Sequence, residues 1–542
     1  MNVSRANFKA ALERFNGIIP NCKLVSFDLE MSGLTSHPTK RTLWIDNPQD
    51  YYSKIRDSAQ SFAITQFGVC LWSLNKRSGL WTSHPFNFEI TTHQPLVGER
   101  VFLSQASSLK FLSQNSFDFN RWIYEGVEYM SKEEEEKVGK SPHSPGRVFV
   151  LAPTQSANPI VLTKPDDIAY VDSLKEKIKT WMDGGREERL GLPTNNSFQR
   201  RLVYELLPTY PGLIVDRQPG PPGQFIYVVS MTEEQRQAEE SKLRQKAEED
   251  FFYSIGLRHV FDRIAQSKLT IVGHNCFLDF AHILQKFERN LPEDVRDYKI
   301  LLNGLFPRLM DTKYLCKTPE LSPFIPDTQT ALSNLYNYVK QPSSGFSMPS
   351  IDFAEDFDKY SDDQQKIFHE AGYDAYVTGC CFLALSSKFS DLQFPERVRN
   401  PVLQFVQSPL FFPHFGKMNL VGSDIVFNAV GEDKVPNREN MFLVSDLTPD
   451  VKTNHLTDHF KVFGNLRIRW VDEKSAVLVF DHIPKTIVTS NTFQVRSISK
   501  IVEREDRMVT RGEGAIVKKR KLEDSRGVPA GSSDFPEKCH IL

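Results

Sequence analysis

Alternating hydrophobic and polar positions near the start of the chain predict the first strands of a sheet. Residues 23–30 alternate with a period of two, so Val25, Phe27 and Leu29 face the same side. The apolar run at 66–72 has the length and composition of a further strand. Strand and helix patterns return at Leu269, and we expect them to complete the same α/β fold.

Two changes of pattern interrupt this fold. A charge run followed by Ser, Pro and Gly at 131–147 predicts a surface loop. After it, a helical stretch (170–181), a Pro/Gly loop (219–223) and a charged helix (231–250) predict a small inserted module. We therefore assign the main domain to residues 1–160 and 246–425, and the insert to residues 161–245.

A separate domain is predicted at 438–505. Its elements are predicted strands at 441–446, 466–471, 475–480 and 492–498, and predicted helices at 456–463 and 483–490. The resulting order, βαββαβ, is that of the RNA-recognition-motif fold. We expect the remaining tail, 506–542, to be disordered.

The composition excludes several classes of protein. With 40% hydrophobic and 25% charged residues the chain is globular, and its formal charge of −2 excludes a protein that coats nucleic acid by bulk positive charge. Seven scattered cysteines without C-x-x-C pairs fit a reducing compartment. No segment reaches the ~18 apolar residues of a membrane span. We expect a soluble protein of the nucleus and cytoplasm.

The tail carries two short patterns whose meaning stays open. The basic run at 518–521 is either a nuclear-import signal or a solvated charge run. The last four residues, 539–542, fit a prenylation box, but so short a pattern also arises by chance. Whether Cys539 is modified is therefore not determined.

Four acidic residues stand at positions that favour a ligand. Asp28 and Glu30 share one face of the first strand with Ser26. Asp279 lies in the first turns of a helix, within its apolar stripe, and Asp374 lies on the apolar side of a later helix. Burying an unpaired carboxylate is costly, so we expect these groups to face a cation. A solvated strand face and a helix-dipole carboxylate are the alternatives for the strand pair and for Asp279.

A histidine completes this set of candidate residues. His369 stands five residues before Asp374; alone, it would be a helix cap or a satisfied surface group. Four carboxylates from three segments, with a histidine, suit a site where two hard divalent cations hold a phosphodiester. Oxygen ligands favour Mg²⁺ or Mn²⁺ over zinc, and His369 can take a proton from an attacking water. The expected chemistry is phosphodiester hydrolysis.

The segments around these residues resemble a known family. Three motifs resemble those of the DEDD exonuclease superfamily, in its subgroup with a histidine: Phe27-Asp28-Leu29-Glu30, Val272-Gly273-His274-Asn275-Cys276-Phe277-Leu278-Asp279 and His369-Glu370-Ala371-Gly372-Tyr373-Asp374-Ala375-Tyr376. Flanking segments make most of residues 1–505 similar to the poly(A)-specific ribonuclease (PARN) family: residues 105–108, 117–120 and 306–313.

This resemblance implies roles for the candidate residues. Asp28, Glu30, Asp279 and Asp374 would ligate two metal ions, Mg²⁺ or alternatively Mn²⁺, and His369 would be the general base. The main domain would have a ribonuclease-H-like fold, a mixed sheet flanked by helices, and would form a homodimer. The insert resembles the family's small nucleic-acid-binding domain, which carries an Arg-x₃-His motif. The chain departs from that motif, because Tyr204 stands at the histidine position after Arg200.

Three further positions match family positions that contact substrate. Met31 stands where the family often has an aromatic residue near the scissile adenine, which loosens the expected adenine preference. Lys313 matches a position near the RNA backbone, with pairing to Asp311 or solvent as the alternative. Trp470 matches a tryptophan that stacks on the methylated guanine of an mRNA cap, with packing or a dimer contact as the alternative.

The expected activity follows from the same resemblance. It implies a 3′-to-5′ exoribonuclease that hydrolyses the poly(A) tails of single-stranded RNA and releases 5′-AMP. Trimming of the 3′ ends of small noncoding RNAs, including piRNA precursors, is an alternative with the same chemistry. A DNA exonuclease is a third possibility, since two-metal chemistry does not read the 2′-OH. A non-catalytic RNA-binding protein is disfavoured because all five site residues are present.

Overall fold

The computed structural model divides the chain into two compact units, Met1–Val435 and Pro436–Leu542. The residues that it describes are 1–75, 77–140, 160–185, 189–216, 225–361, 368–393, 409–484 and 494–498. Within those ranges no helix has the length and apolar character that crossing a membrane requires.

The first unit combines a large sheet, two small sheets and many helices. In chain order its elements are β1 (Asn2–Val3), α1 (Phe8–Ile18), β2 (Cys22–Met31), α2 (Pro48–Ser61), β3 (Ile64–Leu74), β4 (Trp81–Glu89), α3 (Ala106–Gln114), α4 (Phe119–Glu125), α5 (Lys132–Lys140), α6 (Pro165–Asp183), β5 (Leu190–Pro193), α7 (Ser197–Leu206), β6 (Leu213–Val215), β7 (Phe225–Ser230), α8 (Glu233–Ile255), α9 (Arg258–Ser267), β8 (Thr270–Gly273), α10 (Phe277–Ile283), α11 (Val295–Leu305), β9 (Leu309–Asp311), α12 (Thr312–Cys316), α13 (Leu332–Val339), β10 (Ile351–Phe353), α14 (Ala371–Gln393), β11 (Lys417–Asn419) and β12 (Val426–Asn428).

The large sheet is mixed, as predicted. Its strands follow the order β1-β4-β3-β2-β8-β9, and β10 pairs with β4. β2, β3 and β4 form an antiparallel meander, whereas β8 and β9 run parallel to β2. The parallel strands therefore end at the same edge of the sheet as the carboxyl end of β2.

Helices cover both faces of this sheet. On one face α1, α2, α9 and α10 build a core that includes Phe15, Tyr52 and Phe280. On the other face α12, α13 and α14 build a second core, which includes Trp72 and Phe382. A strand in the centre of this sheet is therefore buried on both sides, unlike the half-solvated strand that an alternating pattern also allows.

The contact between α14 and β2 shows this burial directly. Ser26 is fully buried, and its hydroxyl donates to the carbonyl oxygen of Ala375 at 2.6 Å. The indole of Trp72 donates to the same hydroxyl at 2.8 Å. Gly379 lets the helix approach, because a Cβ there would lie 2.3 Å from the Trp72 ring. The Ser26 face of β2 is therefore not a solvated face.

The inserted segment has a core of its own. β5, β7 and β6 form an antiparallel sheet in that order, and α6 and α7 pack on it around Leu174, Leu192 and Val203. The predicted helix at 170–181 lies within α6, whereas the predicted helix at 231–250 overlaps α8, which begins two residues later and ends five residues later. The predicted Pro/Gly loop falls outside the described residues. The ends of the insert as a domain stay a prediction.

The predicted surface loop at 131–147 is wrong for its first part. Residues 132–140 form α5, which begins with a capping box at Ser131. The Glu134 N–H donates to the Ser131 hydroxyl at 3.2 Å, and the Ser131 N–H donates to the Glu134 carboxylate at 2.8 Å. Three glutamates in the first turn interact favourably with the helix dipole, so the charge run starts a helix. Residues 141–147 lie outside the described ranges.

The second unit is a small antiparallel sheet with a helix. Its elements are β13 (Met441–Ser445), α15 (Thr453–Phe460), β14 (Leu466–Asp472), β15 (Ser475–Phe480) and β16 (Gln494–Ser497), with the strands in the order β14-β15-β13-β16. Val444, Phe460 and Leu478 lie in its core. Most of the predicted helix at 483–490 and the whole predicted disordered tail lie outside the described residues. The RNA-recognition-motif assignment stays a prediction.

Candidate active site

Two carboxylates lie near the carboxyl end of β2. Beyond Ser26, the period of two places Asp28 and Glu30 on the side of the strand that α14 covers. Glu30 is only 9% exposed, so contact with solvent on an open strand face does not explain a carboxylate at this position. The predicted strand pair is therefore located under the first turns of α14.

Asp279 reaches the same place from the helix that follows β8. β8 is parallel to β2, and the turn after it contains Asn275 in a left-handed conformation, with φ of 57°. The rings of Phe27 and Phe280 meet edge to face with centroids 4.8 Å apart, which packs α10 against β2. Asp279 precedes Phe280 on α10, and its carboxylate lies close enough to Asp28 to perturb its pKa.

A buried carboxylate holds the turn before α10. Asp311, at the end of β9, has no exposed surface, and its Oδ1 accepts the backbone N–H of Asn275 at 2.8 Å. The same carboxylate accepts the backbone N–H groups of Lys313, at 2.8 Å, and of Asn419, at 2.9 Å. Sequence reasoning treated Asp311 only as a partner for Lys313. An aspartate at the end of a strand and directly before a helix is typical of a helix N-cap. This pattern in the sequence could have identified the role of Asp311.

Asn419 is a second bracing residue, and sequence reasoning missed it. Its side-chain amide donates to the Asn275 side-chain oxygen at 2.7 Å, across a sequence separation of 144 residues. Lys317 Nζ in turn donates to the Asn419 side-chain oxygen at 2.6 Å. The short β11–β12 hairpin thus fixes the turn that aims Asp279. No local pattern around Asn419 indicates this role.

Asp374 lies in the first turn of α14, and His369 lies just before that helix. Asp374 is 5% exposed, and its Oδ2 accepts the backbone N–H of His369 at 3.0 Å. His369 has φ of 72°, in the left-handed region that residues with a Cβ avoid. This conformation turns the chain just before the helix begins at Ala371, so a reversal of the backbone joins His369 to Asp374.

Amide side chains from the sheet cap α14. The Gln66 side-chain oxygen accepts the N–H of Ala371 at 3.3 Å, and the Asn87 side-chain oxygen accepts the N–H of Gly372 at 3.0 Å. The first N–H groups of a helix have no partner within the helix, and a preceding residue usually supplies one. Here β3 and β4 supply it, which fixes the helix that carries Asp374 to the sheet that carries Asp28.

The carboxylates perturb one another strongly. Burial raises the pKa of Asp28 well above its usual value, and the nearby Asp374, Asp279 and Glu30 raise it further. Burial raises the pKa of Glu30 in the same way, with Asp374 and Asp279 adding to it. Burial also raises the pKa of Asp279 and of Asp374 to about 7. In the described part of the chain no lysine or arginine pairs with any of these four groups, so their mutual repulsion is not balanced.

The arrangement fits divalent cations. One carboxylate oxygen each from Glu30 and Asp374, and one ring nitrogen of His369, lie within 4.8 Å of one another. The buried Oδ1 of Asp374 has no hydrogen-bond partner among the described residues, so it can accept a hydrogen bond or ligate a cation. Clustered carboxylate oxygens are ligands of hard cations such as Mg²⁺. His369 is itself a potential ligand here, which the predicted set of metal ligands did not include.

The His369 ring is held from a second direction. Its ring meets that of Phe111, on α3, edge to face with centroids 4.6 Å apart. Burial lowers the pKa of His369 from its ordinary value, so the imidazole is neutral at physiological pH. A neutral imidazole beside a carboxylate cluster can accept a proton, as the predicted general base must. Phe111 was not among the predicted site residues.

The comparison with known families decides the family. The model described as "CAF1 family ribonuclease" matches residues 3–382, which include all five predicted catalytic residues. The chain belongs to the CAF1 ribonuclease family. The chain is also similar to "Poly(A)-specific ribonuclease PARN" of Homo sapiens, with 28% identity over 97% of this chain and 83% of that protein. The resemblance inferred from the three motifs is confirmed.

The chain is also similar, at lower identity, to a curated protein and to a solved structure. "Pre-piRNA 3'-exonuclease trimmer" of Bombyx mori is 22% identical over 92% of this chain and 93% of that protein. A solved structure, "Structure of S. pombe Pop2p - Mg2+ and Mn2+ bound form", is 14% identical, covers 74% of this chain and 93% of that one, and has a TM-score of 0.33.

The three predicted substrate contacts of this CAF1-family ribonuclease lie in different settings. Met31 ends β2 and packs partly buried against the main core. Lys313 Nζ donates to the carbonyl oxygen of Thr330 at 2.7 Å, so its side chain is held by the backbone. Trp470, in the second unit, is 37% exposed, and its indole N–H donates to the Thr453 hydroxyl at 2.9 Å. Their roles toward substrate stay predictions.

Proposed function

We propose that this chain is a Mg²⁺-dependent 3′-to-5′ exoribonuclease that removes adenylates from the 3′ ends of single-stranded RNA and releases 5′-AMP. Membership of the CAF1 ribonuclease family supports the reaction class. The similarity to poly(A)-specific ribonucleases along nearly the whole chain supports the poly(A) substrate. Similarity over 97% of the chain to human PARN includes the second unit as well as the nuclease residues.

One observation carries the proposal. Asp28, Glu30, Asp279 and Asp374, from three distant segments, form a cluster of buried and half-buried carboxylates in which Asp374 and Asp279 raise the pKa of Asp28 and Glu30. Burying so many like charges together costs several kcal/mol per group without a counter-ion, and a purely structural role would not require it. A site built to hold divalent cations against a phosphodiester accounts for the cost.

In hydrolysis the carboxylates would bind cations and His369 would transfer a proton. The four carboxylates would hold two ions, Mg²⁺ or Mn²⁺. When bound, such ions supply Lewis-acid stabilisation of charge on the phosphodiester oxygens. His369, neutral because burial lowers its pKa, accepts a proton from the attacking water. The hydrogen bond from the His369 N–H to Asp374 keeps the imidazole beside the cluster.

Other parts of the chain would select the substrate. Met31 would lie beside the terminal base, where a flexible thioether packs on adenine less selectively than an aromatic ring does. Lys313 would contact the RNA backbone, with its Nζ hydrogen bond to Thr330 fixing the ammonium group. Trp470 would stack on a methylated cap guanine, because an indole favours a positively charged purine.

The proposal extends to the domains and the assembly. The order of antiparallel β4, β3 and β2 followed by parallel β8 and β9 supports a ribonuclease-H-like nuclease domain. The second unit would be an RNA-recognition-motif domain, the insert a small nucleic-acid-binding domain, and the active form a homodimer present in nucleus and cytoplasm.

The direct test is hydrolysis of a panel of oligonucleotides. Oligo(A), oligo(dA) and mixed-sequence RNA, labelled at the 5′ end to follow shortening, are compared with and without Mg²⁺, and 5′-AMP release is measured. We expect Asp28→Ala and His369→Ala to lose almost all release of 5′-AMP, and EDTA to do the same to the unmodified protein. Asp352→Ala, which removes an exposed carboxylate on β10, is the matched control. Full activity in Asp28→Ala or His369→Ala would reject the proposal.

A second candidate substrate is the 3′ end of small noncoding RNA. The similarity to the Bombyx mori trimmer covers 92% of this chain, and Met31 in place of an aromatic residue favours a looser base preference. The same panel separates the two. Equal rates on mixed-sequence RNA and oligo(A) favour trimming, whereas a strong preference for oligo(A) favours poly(A) removal.

A further inference from the structure

A polar cavity is lined by residues outside the carboxylate cluster. Its volume is about 450 Å³, and it is bounded by the segment around Arg100, the start of α5 and the residues that follow α10. Its polar lining includes Gln60, Arg100, Ser131, Glu134, Lys137 and Lys286. None of these residues belongs to the predicted active site, so the cavity needs its own explanation.

The acidic groups of this cavity are already paired. Arg100 Nη2 donates to the Glu134 carboxylate at 2.7 Å, and its guanidinium stacks over the Tyr129 ring at 4.3 Å. Lys137 Nζ donates to Glu133 at 2.7 Å, one helical turn away on α5. The cavity therefore holds two closed ion pairs and one more cation, Lys286.

Lys286 is half-buried and has no ion pair among the described residues. Within the described ranges its Nζ also forms no hydrogen bond. Burial and the like charge of Arg100 together lower the pKa of Lys286 to about 8, against a smaller opposite effect of Glu134. Partial burial without a counter-ion weakens the solvation of an ammonium group, so an anion is favoured beside it.

The backbone around Lys286 is also unusual. α10 does not end in an ordinary turn but continues as a π-helical turn, Leu284–Glu288, closed by the Arg289 N–H and the Leu284 carbonyl at 3.0 Å. Such turns are rare and occur frequently at functional sites. Lys286 lies within this turn and lines the cavity.

Neutral donors complete the lining. The Gln60 amide also lines the cavity and makes no hydrogen bond within the described residues. An ammonium, a guanidinium and an amide together form the donor set that binds tetrahedral oxyanions. A metal ion does not fit, because both carboxylates are occupied by cations. A hydrophobic ligand does not fit either, because it would leave Lys286 without a partner.

We propose that this cavity binds a small oxyanion of the phosphate class, with Lys286 as its principal cation. The bound group is either inorganic phosphate or the phosphate of a mononucleotide. The two sources share the same contacts to Lys286, Arg100 and Gln60. The site is separate from the carboxylate cluster, which repels anions.

The test measures anion binding without RNA or metal. Thermal unfolding and isothermal titration are carried out in EDTA with inorganic phosphate, 5′-AMP or adenosine, and chloride keeps the ionic strength constant. We expect phosphate to raise the Tm saturably and adenosine to have no effect. A larger shift with 5′-AMP than with phosphate identifies a mononucleotide site, and an equal or smaller shift identifies a site for the oxyanion alone.

Lys286→Met is the decisive variant, because methionine keeps the length of the side chain and removes the charge. We expect it to raise the Tm without phosphate, since the unpaired charge is gone, and to weaken phosphate binding at least about tenfold. Lys242→Met, at an exposed position on α8, is the matched control and should bind phosphate like the unmodified protein. Unchanged phosphate affinity in Lys286→Met, or no phosphate binding by the unmodified protein, overturns the proposal. Since hydrolysis is not measured, these results are independent of the proposed exoribonuclease activity.

Discussion

Gly68 on β3 and Ala371 at the start of α14 are in backbone contact: a Cβ atom placed on Gly68 would lie 1.8 Å from the Ala371 carbonyl oxygen. Gly68 pairs with Asp28 across β2 and β3, and Ala371 begins the helix that carries Asp374. The distance between two predicted metal ligands therefore depends on the absence of a side chain at Gly68. A backbone atom cannot turn aside as a side chain can, so any larger residue must displace α14.

Gly68→Ala should consequently separate Asp374 from Asp28. We expect a loss of about 3 kcal/mol of unfolding free energy from overpacking, and a larger proportional loss of hydrolysis. Urea unfolding and the rate of 5′-AMP release measure the two effects. Gly17→Ala is the control, because nothing lies within 4 Å of that position on α1 and alanine favours a helix. Normal activity in a folded Gly68→Ala protein would contradict this view of the contact.

Stability without metal should fall as the pH rises. Burial raises the pKa of Asp279 and Asp374 to about 7, so the folded state retains protons that the unfolded state has released. The stability that this gives is full below the unfolded pKa, about 4, and is lost as the pH rises through about 7. We expect a loss on the order of a few kcal/mol over this range in EDTA.

Added Mg²⁺ should reverse that loss, because it binds the ionised carboxylates. Calorimetry at several pH values with EDTA or Mg²⁺ tests both expectations. Asp374→Asn should raise the Tm in EDTA at high pH while weakening the response to Mg²⁺, and Asp352→Asn, at an exposed position, should change neither. A metal-free protein whose stability does not vary over this range would argue against a repulsive cluster.

Asn419→Leu should weaken metal binding although Asn419 is not a predicted ligand. The substitution keeps the approximate volume and removes the hydrogen bonds to Asn275 and Lys317, which fix the turn before α10. Loss of a residue that orients a ligand typically costs about 10- to 100-fold in metal affinity. Titration of the protein with Mn²⁺ alone, without RNA, measures this. Asn334→Ala, at an exposed position, is the control. Equal Mn²⁺ affinity in both variants would show that Asn419 does not orient the metal ligands.

Trp470→Ala should lower the affinity for a methylated guanosine cap analogue. The indole is 37% exposed and fixed by its hydrogen bond to Thr453, so a ring is already oriented at the surface. Stacking of a base on an aromatic ring contributes about 1–3 kcal/mol, which predicts a loss of roughly tenfold or more. Titration with the cap analogue measures it, and Trp470→Phe should retain part of the affinity. If Trp470→Ala binds the analogue like the unmodified protein, the residue has a packing role instead.

Local patterns in the sequence predicted the main elements well. Strands β2 and β3 and helix α14 follow from periodicity, and the motifs around Asp28, Asp279 and Asp374 indicated the family that the comparison confirmed. The loop prediction is wrong for residues 132–140 because Ser131 and Glu134 form a capping box, which starts a helix in the charge run. The Ser-x-x-Glu pattern at 131–134 indicates this helix start in the sequence, whereas the composition of the segment favours a loop.

The sequence by itself determined the elements, the family and the identity of the acidic residues, because these depend on periodicity and on neighbouring positions. Only the tertiary structure decided how the site is held: Asn419 reaches Asn275 across 144 residues, and Gln66 and Asn87 cap a helix that begins about 300 residues later. It also decided that Lys286 lines a cavity without an ion pair among the described residues. Such contacts depend on the path of the whole chain, and no periodicity encodes which distant side chains will meet.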